Sequence, residues 1–420
     1  MKRLIYITIL SILLPLGCSK PSPAPAPAPE QYDRYIFFSH GVETKAELVE
    51  DAAGLNEKSF GVVGFKYDFY DKDGNEVFWK DHKNTNPTPN VFYDEVVNSE
   101  GTSTYDITPV ETVRVTAGAQ GTNAPPGTPY YEPLQGWSNS KKYAFFAFYP
   151  MPNENVTLVN LDGTPYAGGV PAIKYTMTAP TASTDEGPAD GAPFKASMVD
   201  LMTAAPYMDL YWKSSTDNSF VKDEDENNNT SGALGEVNFA FSHKLSCLGL
   251  NIKNQSSGSI QIDEVTLIVS NLKYQQLIIP LDPSAEVTVV NPTGNLSGSI
   301  EFNLDPKLNL QEDQNSLLIS AGASKELDDK LIFIPQGKPA TENSQGEGQD
   351  KVTITLTVKY TRYADGYAKH EDSYSKYNLL ASLFEGQKNL INLSFTESTV
   401  NVTINRNPWA VKYTVDNSFN

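Results

Sequence analysis

The chain has 420 residues, with 51 Asp and Glu against 32 Lys and Arg, a net charge of −19 with histidine neutral, and only two cysteines. A surface this acidic repels nucleic acid and anionic lipid headgroups, so neither is expected as a partner. At roughly 100 to 200 residues per domain, the length predicts two domains with ample core.

The chain opens with Lys2-Arg3, an apolar stretch from Leu4 to Leu14 and then Leu16-Gly17-Cys18, the charged, apolar and small-residue order of an export signal. Cys18 directly after Gly17 predicts a bacterial lipoprotein signal over residues 1–17. Cys18 then becomes the lipid-bearing first residue, tied to the outer membrane through its acyl chains. The apolar run falls short of the roughly 20 residues that a membrane-spanning helix needs. Without residues 1–17 the charge falls to about −21. Lipid on Cys18 would leave Cys247, so no disulfide within the chain is expected. Cys247 lies in the strand-like run Lys244-Leu-Ser-Cys-Leu-Gly-Leu and reads as a buried, inert thiol. Over residues 18–31 the prolines of Pro21 to Pro29 predict an extended tether of about 3.1 Å per residue.

From Tyr32 onward the chain is rich in Val, Ile, Thr, Tyr and Phe, in short runs separated by Gly, Pro, Asn and Asp. That pattern predicts an all-β sandwich or barrel. Tyr35-Ile36-Phe37-Phe38-Ser39-His40-Gly41-Val42 is apolar on both faces, as a strand covered from two sides would be. It is followed by Glu43 to Glu47, a polar stretch open to proteolysis. Asp73-Gly74, within Tyr67 to Phe78, predicts a hairpin turn between two strands. The acidic Ser214 to Gly235, with Asp223-Glu-Asp-Glu-Asn-Asn-Asn229, marks the expected boundary between domains over residues 32–222 and 236–420. This run lacks the sixth-position Gly and twelfth-position Glu of an EF-hand loop and reads as a solvated linker.

Further on, Val352, Ile354, Leu356, Val358 and Tyr360 alternate with Thr353, Thr355, Thr357 and Lys359, the period of a half-buried strand. Ile391, Leu393 and Phe395 repeat the pattern, as do Val400, Val402 and Ile404. Tyr374 to Phe384 is the best candidate for a short helix. At the end, Trp409, Val411, Tyr413 and Val415 alternate with Ala410, Lys412, Thr414 and Asp416 as an amphipathic strand. An exposed sheet edge invites a second chain to pair with it. The first strand could therefore be displaced and replaced by a neighbour's last strand, or both could simply complete their own domains; pattern alone leaves the two readings level.

Chemistry is sparse. His40, His82, His243 and His370 are scattered, without the helical pairing of a metalloprotease site, and His243 reads as a structural histidine within a strand. No glycine-rich phosphate loop follows a strand. No catalytic residue, cofactor or metal is therefore expected, although glycosidase carboxylates leave no fixed spacing to read. The four tryptophans, Trp79, Trp137, Trp212 and Trp409, and the 22 tyrosines support a second hypothesis, a monomeric surface lipoprotein that binds glycans. In an all-β protein such rings more often pack the core.

Five segments carry a family likeness: Phe145-Phe-Ala-Phe-Tyr-Pro150, Asp200-Leu-Met-Thr-Ala204, Val237-Asn-Phe-Ala-Phe-Ser-His-Lys-Leu-Ser246, Ile332-Phe-Ile-Pro-Gln336 and Val402-Thr-Ile-Asn-Arg-Asn-Pro-Trp409. In this order and spacing the chain resembles the fimbrillins of Bacteroides-type bacteria, the pilins and accessory subunits of their fimbriae. The resemblance implies two β-sandwich-like (transthyretin-like) domains in tandem, lipoprotein export and a structural or adhesive role. It also implies assembly with other fimbrial subunits once a trypsin-like protease removes the N-terminal strand, and contact with host or bacterial surfaces. Lys45, before Ala46, matches the cleavage position, where such pilins more often carry arginine; Arg34 precedes the strand, so a cut there would not remove it. Tyr35, Ile36, Phe37, Phe38 and Val42 then belong to the displaced strand, and Trp409, Val411, Tyr413 and Val415 to the donor.

Overall fold

The computed structural model describes residues 35–42, 59–97, 103–109, 113–116, 131, 134–138, 140–177, 194–195, 200–212, 220–222, 236–272, 274–290, 296–301, 317–327, 331–336, 351–364 and 367–408. Among these, helix is confined to α1 (Trp79–His82) and the 3-10 turn Lys83–Thr85; the rest is strand and turn. The strands that frame the groove and the core are numbered in chain order: β1 (Phe37–Val42), β2 (Ser59–Asp68), β3 (Lys141–Tyr149), β4 (Met202–Ala204), β5 (Glu236–His243), β6 (Ser246–Asn254), β7 (Ile260–Leu272), β8 (Val352–Ala364), β9 (Tyr367–Ala381), β10 (Gln387–Phe395) and β11 (Val400–Pro408).

The N-terminal sheet runs β1, β5, β4, β3, then Tyr207–Trp212 and Phe220–Lys222, with β2 paired to β3 off that path. β3 is buried on both faces, and period two divides its side chains between two cores. Tyr143, Phe145, Ala147 and Tyr149 join an aromatic cluster with Ile36, Phe38, Phe60, Phe92, Tyr131, Phe239 and Phe241. Ala144, Phe146 and Phe148 face the larger cluster, which continues into the C-terminal half and is dominated there by Leu, Ile and Val. Gly64 on β2 is required where it stands, because a Cβ there would lie 2.6 Å from the Phe92 ring.

Two sheets build the C-terminal half. One has β6 beside β10 and β11, with Ser324–Glu326 and Leu331–Phe333 on the far side of β6; the other runs β9, β8, β7 and Leu296–Glu301. The alternating runs behave as expected. Val352, Ile354, Leu356, Val358 and Tyr360 are buried, as are Ile391, Leu393 and Phe395, while Val400, Val402 and Ile404 pack half-buried on the same core. The all-β class expected from composition is the observed one, and the two β-sandwich-like halves fit the tandem arrangement.

Three expectations are refined or corrected. The stretch Tyr374 to Phe384 is no helix: through Ala381 it is the second half of β9, paired antiparallel to β8 from Val352↔Ala381 onward. Tyr377 and Leu379 pack on the core while Asn378 and Leu380 are exposed, so the long ladder with β8 overrides a weak helical period. Asp73-Gly74 does turn the chain, with Gly74 at φ 84° and the Asp71 carboxylate accepting the backbone N–H groups of Asp73 and Asn75. The return arm, however, is a single bridge, Tyr70↔Glu76, because the chain then enters α1. Finally, β5, expected to open the second domain, is hydrogen-bonded into the sheet of the first, through β1 and β4. Gln276–Pro280 likewise pairs with Ala172–Thr176, so ladders cross the expected boundary. The acidic run Asp223 to Asn229 lies outside the described residues.

Candidate functional site

β1 stands at the end of its sheet path and pairs parallel with β5, in the register Phe37↔Glu236 to Val42↔Phe241. Its inward side chains are Ile36, just before the strand, and Phe38, both fully buried. Phe38 fills a socket of four rings. It stacks on Phe239 at 5.6 Å between centroids, meets Phe92 edge-on at 6.0 Å and Phe145 at 5.5 Å, and lies tilted against Tyr131 at 5.4 Å. Offset-stacked and edge-on contacts are the favoured geometries of aromatic pairs, and burying each of these two side chains contributes about 1.5–3 kcal/mol.

The start of β1 is also gripped through its backbone. Ile36 N–H donates to Gln135 O at 2.8 Å, the Tyr131 hydroxyl donates to Ile36 O at 3.0 Å, and Tyr35 bridges Gly136. Beyond Ile36, the strand neighbour of β1 among the described residues is β5.

β5 itself is sparsely paired. β4 reaches only its last residues, in the register Met202↔His243, Thr203↔Ser242 and Ala204↔Phe241. From Glu236 to Ala240 the ladder on β5 is supplied by β1, with the Tyr207 hydroxyl adding one bond to Asn238 O at 2.6 Å. The end of β5 is pinned more firmly. His243 Nδ1 lies 3.0 and 2.9 Å from the two carboxylate oxygens of Asp200, with both side chains buried. The expected structural histidine thus has a partner 43 residues away. Burial, then the negative charge of Asp200, pushes the Tyr149 hydroxyl up to about 12.

The last described strand, β11, is likewise an edge among the described residues, paired antiparallel to β10 from Phe395↔Val400 to Gln387↔Pro408. Lys388, next to Gln387, pairs with Cys247 at the start of β6, four residues beyond His243. The chain therefore reaches Pro408 at the level where β5 passes into β6. Trp409, Val411, Tyr413 and Val415 lie outside the described residues, as do Cys18, Lys45 and Ala46. Cys247 is buried in β6, as expected of an inert thiol.

The five segments with the family likeness gather around the β5–β6 run. Phe145 to Tyr149 is in β3, Asp200 to Ala204 leads into and forms β4, and Val237 to His243 is β5. Ile332 pairs with Cys247, and Val402 to Pro408 is in β11. The glycan-binding hypothesis loses its main support, because Trp79, Trp137 and Trp212 are buried and Trp79 Nε1 donates to Asp282 at 3.0 Å. Sequence reading missed the socket, whose walls come from four separated segments. The alternating aromatics Phe239 and Phe241 were its one local signal.

No protein-family model matches the sequence, and no curated protein matches it. Among solved structures, a fimbrial protein of Bacteroides vulgatus superposes with a TM-score of 0.52 at 17% identity, covering 90% of this chain and 99% of that one. The chain shares its fold with that fimbrial protein. Candidate cell adhesion proteins of Bacteroides uniformis and Bacteroides ovatus also match, at TM-scores of 0.39 and 0.38 and identities of 13% and 14%. They cover 89% and 90% of this chain and 98% and 99% of their own; both overlay too loosely to refine the fold.

Proposed function

We propose that the chain is a structural and adhesive fimbrial subunit, with no catalytic role, displayed at the cell surface and exported as a lipoprotein through Cys18. Proteolysis after Lys45 removes β1, Ala46 becomes the new N-terminus, and the Trp409 to Val415 strand of a second subunit takes the vacated place beside β5. The observation that carries this reading is the position of β1, an edge strand that supplies the ladder for Glu236 to Ala240 and plugs an aromatic socket. Once cut beyond Val42, such a strand can leave sideways without passing another of the described strands. Its loss exposes the burial of Ile36 and Phe38, worth about 3–6 kcal/mol together, which favours any strand that refills the groove. The partners are other copies of the chain or other fimbrial subunits, with the outer membrane reached through lipid and surface ligands through exposed loops.

Mild trypsin treatment of the full-length protein should convert monomer into a ladder of polymers whose subunits begin at Ala46 by mass spectrometry. Deleting residues 410–420 should abolish the ladder. A protein that loses β1 and stays monomeric would refute the proposal.

A further inference from the structure

The socket around Phe38 says more about the incoming strand than that it is apolar. We propose that this socket is the specificity-determining pocket of the groove and selects a donor with an aromatic side chain two residues after an aliphatic one, which in this chain is Tyr413 after Val411. The inference rests on the donor-strand reading above and deepens it.

Four rings surround Phe38, stacked below and edge-on at the sides, and the residue is fully buried. An aliphatic side chain there would forfeit the ring–ring geometry and leave a cavity. The indole of a tryptophan would overpack a space that a phenyl ring already fills. Tyrosine matches the phenyl ring in outline and adds one hydroxyl.

Register is set by backbone. Ile36 uses both its N–H and its C=O, on Gln135 O and on the Tyr131 hydroxyl, and neither bond depends on its side chain. A donor residue placed there inherits both bonds, and the residue two further along enters the socket. Of the inward set Trp409, Val411, Tyr413 and Val415, a strand running parallel to β5 as β1 does puts Val411 on that clamp and Tyr413 in the socket. The other parallel registers of that set put valine or tryptophan against the four rings, and the register that would offer Phe419 places Asn417, a polar amide, where Ile36 is fully buried.

The test uses the full chain activated by trypsin, with polymer read as the rate of ladder formation. Tyr413→Phe, which keeps the ring, should assemble like the native protein. Tyr413→Ala and Tyr413→Leu should slow assembly at least about tenfold, as removal of a buried aromatic anchor does. Separately, synthetic peptides of residues 35–42 added during activation should recap the groove and block assembly, and the same peptide with Phe38→Ala should not. Indifference of assembly to Tyr413→Ala while the tail deletion still abolishes it, or equal blocking by the two peptides, overturns the socket and leaves strand exchange standing. Absence of any ladder from the native protein sinks strand exchange itself.

Discussion

β5 and β6 are successive parts of one run of chain, yet they are held in opposite ways. β6 is flanked along its length by β10 on one side and by Ser324–Glu326 and Leu331–Phe333 on the other. Among the described residues β5 has an edge strand on one side and three residues of β4 on the other, with Glu236 to Ala240 in register only with β1. Their surroundings differ as well. Aromatic rings gather at β1 and β5, whereas branched aliphatic side chains interlock around β6 and β10. The contrast teaches that a single molecule can keep one half closed around strands paired on both sides while the other half rests on a strand paired from one side among the described residues.

The sharpest way to probe that difference is amide exchange before and after cleavage. With β1 gone, the amides of Val237 and Phe239 should exchange at the rate of a frayed end, because the odd-numbered residues of β5 face β1 while Asn238 turns its carbonyl to Tyr207 on the other side, and Leu248 to Ile252 should keep full protection. Polymer should restore protection to Val237 and Phe239. Equal protection in the cleaved monomer and the intact chain would mean that β5 is held by something other than β1.

A second probe acts on the closed half. Leu393→Ala in β10 should cost about 2–5 kcal/mol in chemical denaturation, since the side chain is fully buried among neighbours fixed from both sides. Phe38→Ala removes a larger group, but at an edge strand that can detach locally. It should lower the global midpoint less than Leu393→Ala and raise the rate of proteolysis beyond Val42. If the two substitutions cost the same in global stability, β1 is an integral part of its sheet and the contrast between the halves is lost.

The sequence made the closed half the more legible one. Half-buried strands write period two into their residues, so Val352 to Tyr360 and Ile391 to Phe395 are read directly, and the Thr residues between them mark the outward face. β3 escaped assignment because a strand buried on both faces carries no alternation, and β4 because three residues are too few for any period. Tyr374 to Phe384 misled because a weak helical spacing says nothing of the fifteen-residue ladder that β8 imposes. The Phe38 strand was singled out by its composition, but the socket that receives it brings together residues 92, 131, 145 and 239, a juxtaposition that only the fold creates. The pairing of Asp200 with His243 is of the same kind.

The smallest effect is read along the pH scale. Tyr149, beside the Asp200 carboxylate, holds its proton to about 12, raised by burial first and by that charge second, against an ordinary value near 10. Below the ordinary value both folded and unfolded chains keep the proton, and pH has no leverage. Between about 10 and about 12 the unfolded chain loses it while the folded chain does not, so stability falls as pH rises through that window. Asp282 works in the other direction. Burial resists its ionisation, but hydrogen bonds from Ser284, then from Lys83 and Trp79, outweigh that resistance and hold its carboxyl below the ordinary value. Its contribution is present at neutral pH and is lost as pH falls through the carboxylate range. Tyr149→Phe should therefore flatten the alkaline limb of a denaturation-versus-pH series and leave the acid limb alone, and Asp282→Asn should do the reverse. Asp200→Asn should trim the alkaline limb less than Tyr149→Phe, because the charge is the smaller of the two causes. An alkaline limb untouched by Tyr149→Phe would mean that this hydroxyl is solvated, and that the end of β5 is packed more loosely than its pairing with β4 requires.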